Sequence, residues 1–259
     1  MSRAEHYPVL VHGFTGSSAS WRAGLVDGLA RAGLTPVMID LPGHGPEAGL
    51  TDPSRFTLES VLARISAAGL WPADLVGYSM GGRIALHFAA AFPERVRRLV
   101  LESASAGLET EAERAERRAA DAALAARIVS EGMEWFVEHW EAQPLFEPRS
   151  RLDPAILARE RELRMRNGAR SLAATLTGLG TGSLPSLWDR LGGIETPTLL
   201  IAGELDGKFV QVAERMARAM PHARMVVVPR AGHTVHLEAP AAWLDAVVGF
   251  LGGTDGPLA

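Results

Sequence analysis

"LVGYSMGGRIALHFAA", Leu75 to Ala90, begins as an apolar run, passes one serine set between glycines, and continues with apolar residues at helical spacing. A run that is apolar throughout reads as a parallel strand covered on both faces, and Met80 to Ala91 has the period of a helix. Ser79 stands at the junction. Gly77-Tyr78-Ser79-Met80-Gly81 is therefore a G-x-S-x-G string in the strand–turn–helix context of a nucleophile elbow. Its glycines admit a tight turn that presents the serine hydroxyl at the sheet's edge.

Working outward, "YPVLVHG", "LTPVMIDLPGHG", "ADLVGYS", "RVRRLVLES", "TPTLLIAGE" and "ARMVVVPRAGH" predict six strands, each ending in Gly, Ser, Asp or His. Leu58 to Ala68, Gln211 to Met220 and Ala239 to Leu251 predict helices between them. Such alternation implies an α/β class protein with a doubly wound, mostly parallel sheet, and it places ligands at the carboxyl ends of the strands. The alternation lapses between Ser103 and Trp188, where a charged helical stretch is followed by "MEWFVEHW" and an arginine-rich segment. The expected organisation is a core of residues 1–102 and 189–259, with 103–188 a helical cap inserted over the sheet edge. The final "GGTDGPLA" is expected to fray.

A serine hydroxyl is a weak nucleophile or base until an imidazole accepts its proton, and the imidazole needs a carboxylate to orient it. Asp206, just past "TPTLLIAGE", and His233, just past "ARMVVVPRAG", supply both in the order Ser, Asp, His. Each position has a neighbouring rival, Glu204 and His236. His236 reads as a helix cap or a partner of Glu238. His12 and His44 read as loop-shaping residues, and His87 as packing or surface. The amides of Phe14, in "HGFTGS", and Met80 are the expected oxyanion donors.

Composition narrows the classes. With 259 residues the chain can bury a large core, and 47% apolar and 22% charged residues with a net charge of -4 are ordinary for a soluble globular protein and unlike a nucleic-acid binder. The absence of cysteine excludes disulfides, thiolate metal sites and a thiol nucleophile. "MSRAEHYPVL" leaves no room for a secretory apolar region, and no apolar stretch approaches membrane-spanning length. A cytoplasmic monomer or small homo-oligomer is expected.

The strings "HGF", "DLPGHG", "GYSMGG" and "AGH" resemble the α/β-hydrolase superfamily. "GLETEAERAER", "WEAQPLF", "LRMRNGARSLAATL", "GELDGKF" and "PRAGHTVHLEAP" resemble, more narrowly, the 2-succinyl-6-hydroxy-2,4-cyclohexadiene-1-carboxylate synthases of menaquinone biosynthesis, from about His12 to Pro240. That resemblance implies a cofactor-free and metal-free elimination of pyruvate from a small substrate bearing several carboxylates, with the triad acting as a base. It also implies that Arg83, Arg117 and Arg164 bind carboxylates and that Tyr78 and Trp140 line the pocket. Arg83 lies four residues after Ser79 on the same helical face. From composition alone, Arg117 reads as part of a solvated Ala/Glu/Arg face. Lys208 matches the family without an assigned role. Met165-Arg166-Asn167-Gly168 departs from the family's asparagine-rich stretch, which puts contacts around Asn167 in question. Two other activities use the same core residues: a carboxylesterase or carbon–carbon hydrolase, and a ligand-binding member that retains the triad.

Overall fold

The computed structural model describes residues 6–21 and 23–253. Most of the expected frayed tail, from Thr254 onward, and the first five residues of the polar amino-terminal stretch lie outside them. Six strands form one parallel sheet: β1 (Val9–Val11), β2 (Val37–Ile39), β3 (Ala73–Tyr78), β4 (Val96–Glu102), β5 (Thr198–Gly203) and β6 (Ala223–Val228), in the order β2-β1-β3-β4-β5-β6.

Strand side chains alternate between two cores, as the period of two requires. Val9, Val11, Leu75, Leu99, Leu101 and Leu200 face one side, where α2 (Leu58–Ala68), α3 (Met80–Ala91) and α7 (Gly207–Ala219) supply Val61, Ile65, Ile84 and Met216. Leu10, Val76, Val100, Leu199 and Ile201 face the other, against Leu25 and Leu29 of α1 (Ala23–Arg31) and Trp243 and Val247 of α9 (Pro240–Leu251). Each such fully buried aliphatic side chain contributes roughly 1.5–3 kcal/mol of transfer free energy. The doubly wound reading therefore holds, with both faces covered.

Two helices depart from expectation. The sequence pattern did not mark α1, because Gly24 and Gly28 dilute its helical signal. Gly28 lets α1 pack closely on α9: a Cβ at that position would lie 2.5 Å from the end of the Leu244 side chain, which would have to shift. The helix expected from Gln211 begins at Gly207, because the Asp206 side chain accepts from the Phe209 amide as its N-cap.

Between β4 and β5 run α4 (Glu111–Glu141), α5 (Pro154–Met165) and α6 (Ala169–Leu179). Thr110 and Glu113 form a capping box at the start of α4, and Gly132, at φ +85°, breaks its course. Ile128, Phe136 and Val137 of α4 pack with Leu172 and Leu176 of α6 in a third apolar cluster. The four-residue α8 (Val235–Glu238) closes the loop after β6. Among the described residues no helix is long and apolar enough to cross a membrane.

Candidate active site

Close packing enforces the turn after β3. Ser79 adopts φ +51°, a conformation disfavoured for any side-chain-bearing residue, and donates its backbone N–H to Glu102 O at 2.9 Å. A Cβ on Gly81 would come within 2.3 Å of Val11 O, and one on Gly77 within 2.6 Å of Gly81 O. No larger residue fits at either position, so β3, β1 and α3 converge on the serine and hold Oγ clear of the sheet.

His233, in the loop after β6, reaches both partners. Its Nδ1–H donates to Asp206 Oδ2 at 2.6 Å, and Nε2 lies 3.0 Å from Ser79 Oγ, placed to accept the hydroxyl proton. The carboxylate selects this tautomer. His233 and Asp206 are both buried, and Phe209 packs edge-on against the imidazole at 4.6 Å. The three residues singled out from the sequence thus form one hydrogen-bonded chain, although 154 positions separate Ser79 from His233.

The rivals are engaged elsewhere. Exposed Glu204 accepts from the Arg230 amide at 2.9 Å. His236 does not pair with Glu238, as the sequence suggested. Its Nδ1–H donates to buried Glu102 at 2.8 Å, while Glu238 accepts from the amides of Gly232 and Thr234. Glu102 also takes the Trp243 indole N–H at 2.9 Å. Glu102 escaped the sequence reading because it ends an apolar strand with no local sign of a partner.

The amides of Phe14 and Met80 have no acceptor among the described residues and remain available to a developing negative oxygen. The loop bearing Phe14 is pinned on three sides. His12 Nε2 accepts from the Leu41 amide at 3.0 Å, His44 Nε2 accepts from the Thr15 amide at 3.3 Å, and Asn167 Nδ2 donates to Thr15 O at 2.9 Å. Burial pushes His12 down to about 4 and His44 to about 3, so both are neutral acceptors. His87 is buried on α3, on the packing side of its two expected roles.

Ser79 and His233 open into a cavity of about 530 Å³ whose walls include Phe14, Tyr78 and Trp140. Arg83, Arg117, Lys208 and Arg215 line it, against the carboxylates of Glu109 and Glu113. Arg83 is half-buried. Burial first, then Arg117 nearby, lowers it to about 10, leaving it a cation at neutral pH. Its Nε has no hydrogen-bond partner among the described residues.

The alpha/beta hydrolase fold family matches residues 9–240. A Bacillus subtilis (strain 168) relative, provisionally named a 2-succinyl-6-hydroxy-2,4-cyclohexadiene-1-carboxylate synthase, is 44% identical over 94% of this chain and 89% of its own. The chain belongs to this synthase family of the α/β-hydrolase fold. A Salmonella agona (strain SL483) synthase is 32% identical over 97% of this chain and 99% of its own. The solved structure of MenH from S. aureus superposes with a TM-score of 0.90 at 32% identity, covering 98% of this chain and 96% of that one.

Not every position expected from the synthase family meets in one space. Arg83, Arg117, Tyr78, Trp140 and Lys208 line the Ser79 cavity. Arg164 lines a small void of about 40 Å³ that shares Phe14, Tyr78 and Trp140 with it as a wall. There Arg164 is buried and held by Glu141 at 3.0 Å and Glu160 at 3.7 Å. Burial, and then neighbouring Arg149, lower its pKa. Buried Arg149 and cavity-lining Arg215 were not singled out from sequence, since arginine-rich helices give no sign of which guanidinium turns inward.

Proposed function

We propose that this enzyme eliminates pyruvate from 2-succinyl-5-enolpyruvyl-6-hydroxy-3-cyclohexene-1-carboxylate, giving 2-succinyl-6-hydroxy-2,4-cyclohexadiene-1-carboxylate. The observation that carries the reading is the unbroken Asp206–His233–Ser79 hydrogen-bonded chain at the floor of a cation-lined cavity, in a member of this synthase family. His233 takes the Ser79 proton, and the serine oxygen removes a ring proton. The C–H electron pair forms the new double bond and expels the enol oxygen, whose carbon fragment takes up a proton to become pyruvate. The Phe14 and Met80 amides hold the negative oxygen that develops meanwhile. Arg83 and Arg117 hold carboxylates of the substrate. In this reading 103–188 is a cap that contributes Arg117 and Trp140 to the pocket, and Arg164 joins them only by exchanging Glu141 for a substrate carboxylate.

The test is pyruvate release, coupled to lactate dehydrogenase, from substrate generated in situ by the preceding synthase. Release well above the spontaneous rate, lost in Ser79→Ala, is the expected result. Brisk hydrolysis of neutral aryl esters without pyruvate release assigns the same residues to a serine hydrolase and ends the lyase reading.

A further inference from the structure

Of the 26 lysines and arginines in the chain, 25 are arginine, and the one lysine is Lys208. That residue lines the Ser79 cavity. It lies two positions past Asp206 and next to Phe209, whose ring packs on His233.

The four cations of the cavity fall into two kinds. Arg117 is held by Asp121 at 2.8 Å and Arg215 by Glu109 at 2.7 Å. Arg83 and Lys208 form no ion pair among the described residues; for Lys208, Nζ lies 5.9 Å from the centroid of the Phe209 ring. The cavity therefore holds, on different elements, α3 and α7, two cations without an ion-pair partner among the described residues. Arg83 is the half-buried one and Lys208 the exposed one.

No carboxylate near in sequence favours a lysine at this place, and its one local partner is the Phe209 ring at the edge of cation–π range. Position 208 is in the first turn of α7, at the positive end of the helix dipole, where a cation is disfavoured. The nearest carboxylate in sequence, Asp206, already receives the His233 N–H and the Phe209 amide. An ammonium is a compact point charge with three donors that suits a single carboxylate and releases it readily, whereas a guanidinium fork grips both oxygens.

We propose that Lys208 is a substrate-binding residue that holds the carboxylate of the departing 2-oxo-acid fragment while Arg83 holds a carboxylate retained on the ring. The assignment rests on the elimination reading above. The fragment that leaves must exit toward solvent; Arg117 and Arg215 are exposed too but already paired with Asp121 and Glu109, so Lys208 is the exposed cation without an ion pair, and the retained ring carboxylate belongs with the deeper Arg83.

Because lysine is unique here, an amine-directed reagent reports on this site directly. The full chain is acetylated with N-hydroxysulfosuccinimidyl acetate in pyruvate, or in acetone at matched ionic strength, and labelling is read by peptide mass spectrometry with the terminal amine as internal standard. Pyruvate is expected to slow Lys208 acetylation at least fivefold relative to the terminal amine, and acetone to leave it unaltered. Equal Lys208 rates in the two solutions overturn the proposal.

Steady-state kinetics supply the second measurement. Lys208→Gln is expected to raise both the KM for substrate and the inhibition constant of pyruvate at least tenfold, with a smaller change in kcat, and Lys208→Arg to recover most of the loss. Unchanged KM and pyruvate inhibition in Lys208→Gln also overturn it. If the unaltered chain releases no pyruvate, the elimination reading fails by itself, and the labelling experiment alone then decides whether Lys208 binds a small carboxylate.

Discussion

Two histidines three residues apart, His233 and His236, each donate Nδ1–H to a buried carboxylate, Asp206 at 2.6 Å and Glu102 at 2.8 Å. What differs is the other nitrogen. His233 Nε2 meets the Ser79 hydroxyl and a cavity, whereas the His236 ring is enclosed by Trp21, Tyr78 and Trp243 with centroids 4.9, 4.8 and 6.4 Å away. The same imidazole–carboxylate pair is a proton relay under the proposed function in one setting and ties β4 to α8 in the other. A histidine beside a carboxylate is therefore not a catalytic signature until its second nitrogen has a reacting partner.

The comparison breaks most sharply at His233. His233→Gln should lower kcat for pyruvate release by about 10³- to 10⁴-fold, as loss of a triad member does elsewhere, with little change in melting temperature. A residual rate within tenfold of the unaltered chain removes His233 from the proton transfer.

At His236 the balance should invert. His236→Leu strands the buried Glu102 carboxylate and should cost about 3–5 kcal/mol of unfolding free energy in urea titration, while the folded fraction keeps its activity within about tenfold. A folded, stable but inactive variant would put His236 in the chemistry and end the distinction.

A second pair of histidines sharpens it, because neither is hydrogen-bonded to a carboxylate among the described residues. His12 and His44 take up protons near pH 6.5 when unfolded but only near about 4 and 3 when folded, so the unfolded chain binds more protons on acidification. Their contribution is complete above pH 6.5 and is lost as pH falls through the folded values. Burial of His12 alone should remove about 3 kcal/mol between pH 6.5 and 4, measured as the shift of the urea midpoint with pH. His12→Gln should flatten that slope; an unchanged slope would mean that another group titrates.

The smallest effect belongs to the carboxylate rival. Glu204→Gln keeps an acceptor for the Arg230 amide and should change stability by less than about 0.5 kcal/mol, with pyruvate release within twofold of the unaltered chain. A large loss of activity there would transfer the role of Asp206 to its neighbour.

Much of this was legible along the chain. Alternating apolar runs and helical periods determined a doubly wound sheet, and the G-x-S-x-G junction with Asp206 and His233 just past strand ends marked three residues that meet in one hydrogen-bonded chain. These are local signals, because strand burial, helix period and the glycine turn each act over a few residues. Tertiary structure decided the rest. It chose Glu102 rather than Glu238 for His236, pinned the Phe14 loop through His12, His44 and Asn167, and paired Arg164 with Glu141 while leaving Arg83 and Lys208 without an ion-pair partner among the described residues. Charge compensation joins side chains far apart in the chain, 134 positions in the case of Glu102 and His236, and a buried charge is settled by whichever partner the packed fold brings within hydrogen-bond reach. Sequence spacing carries no record of that distance.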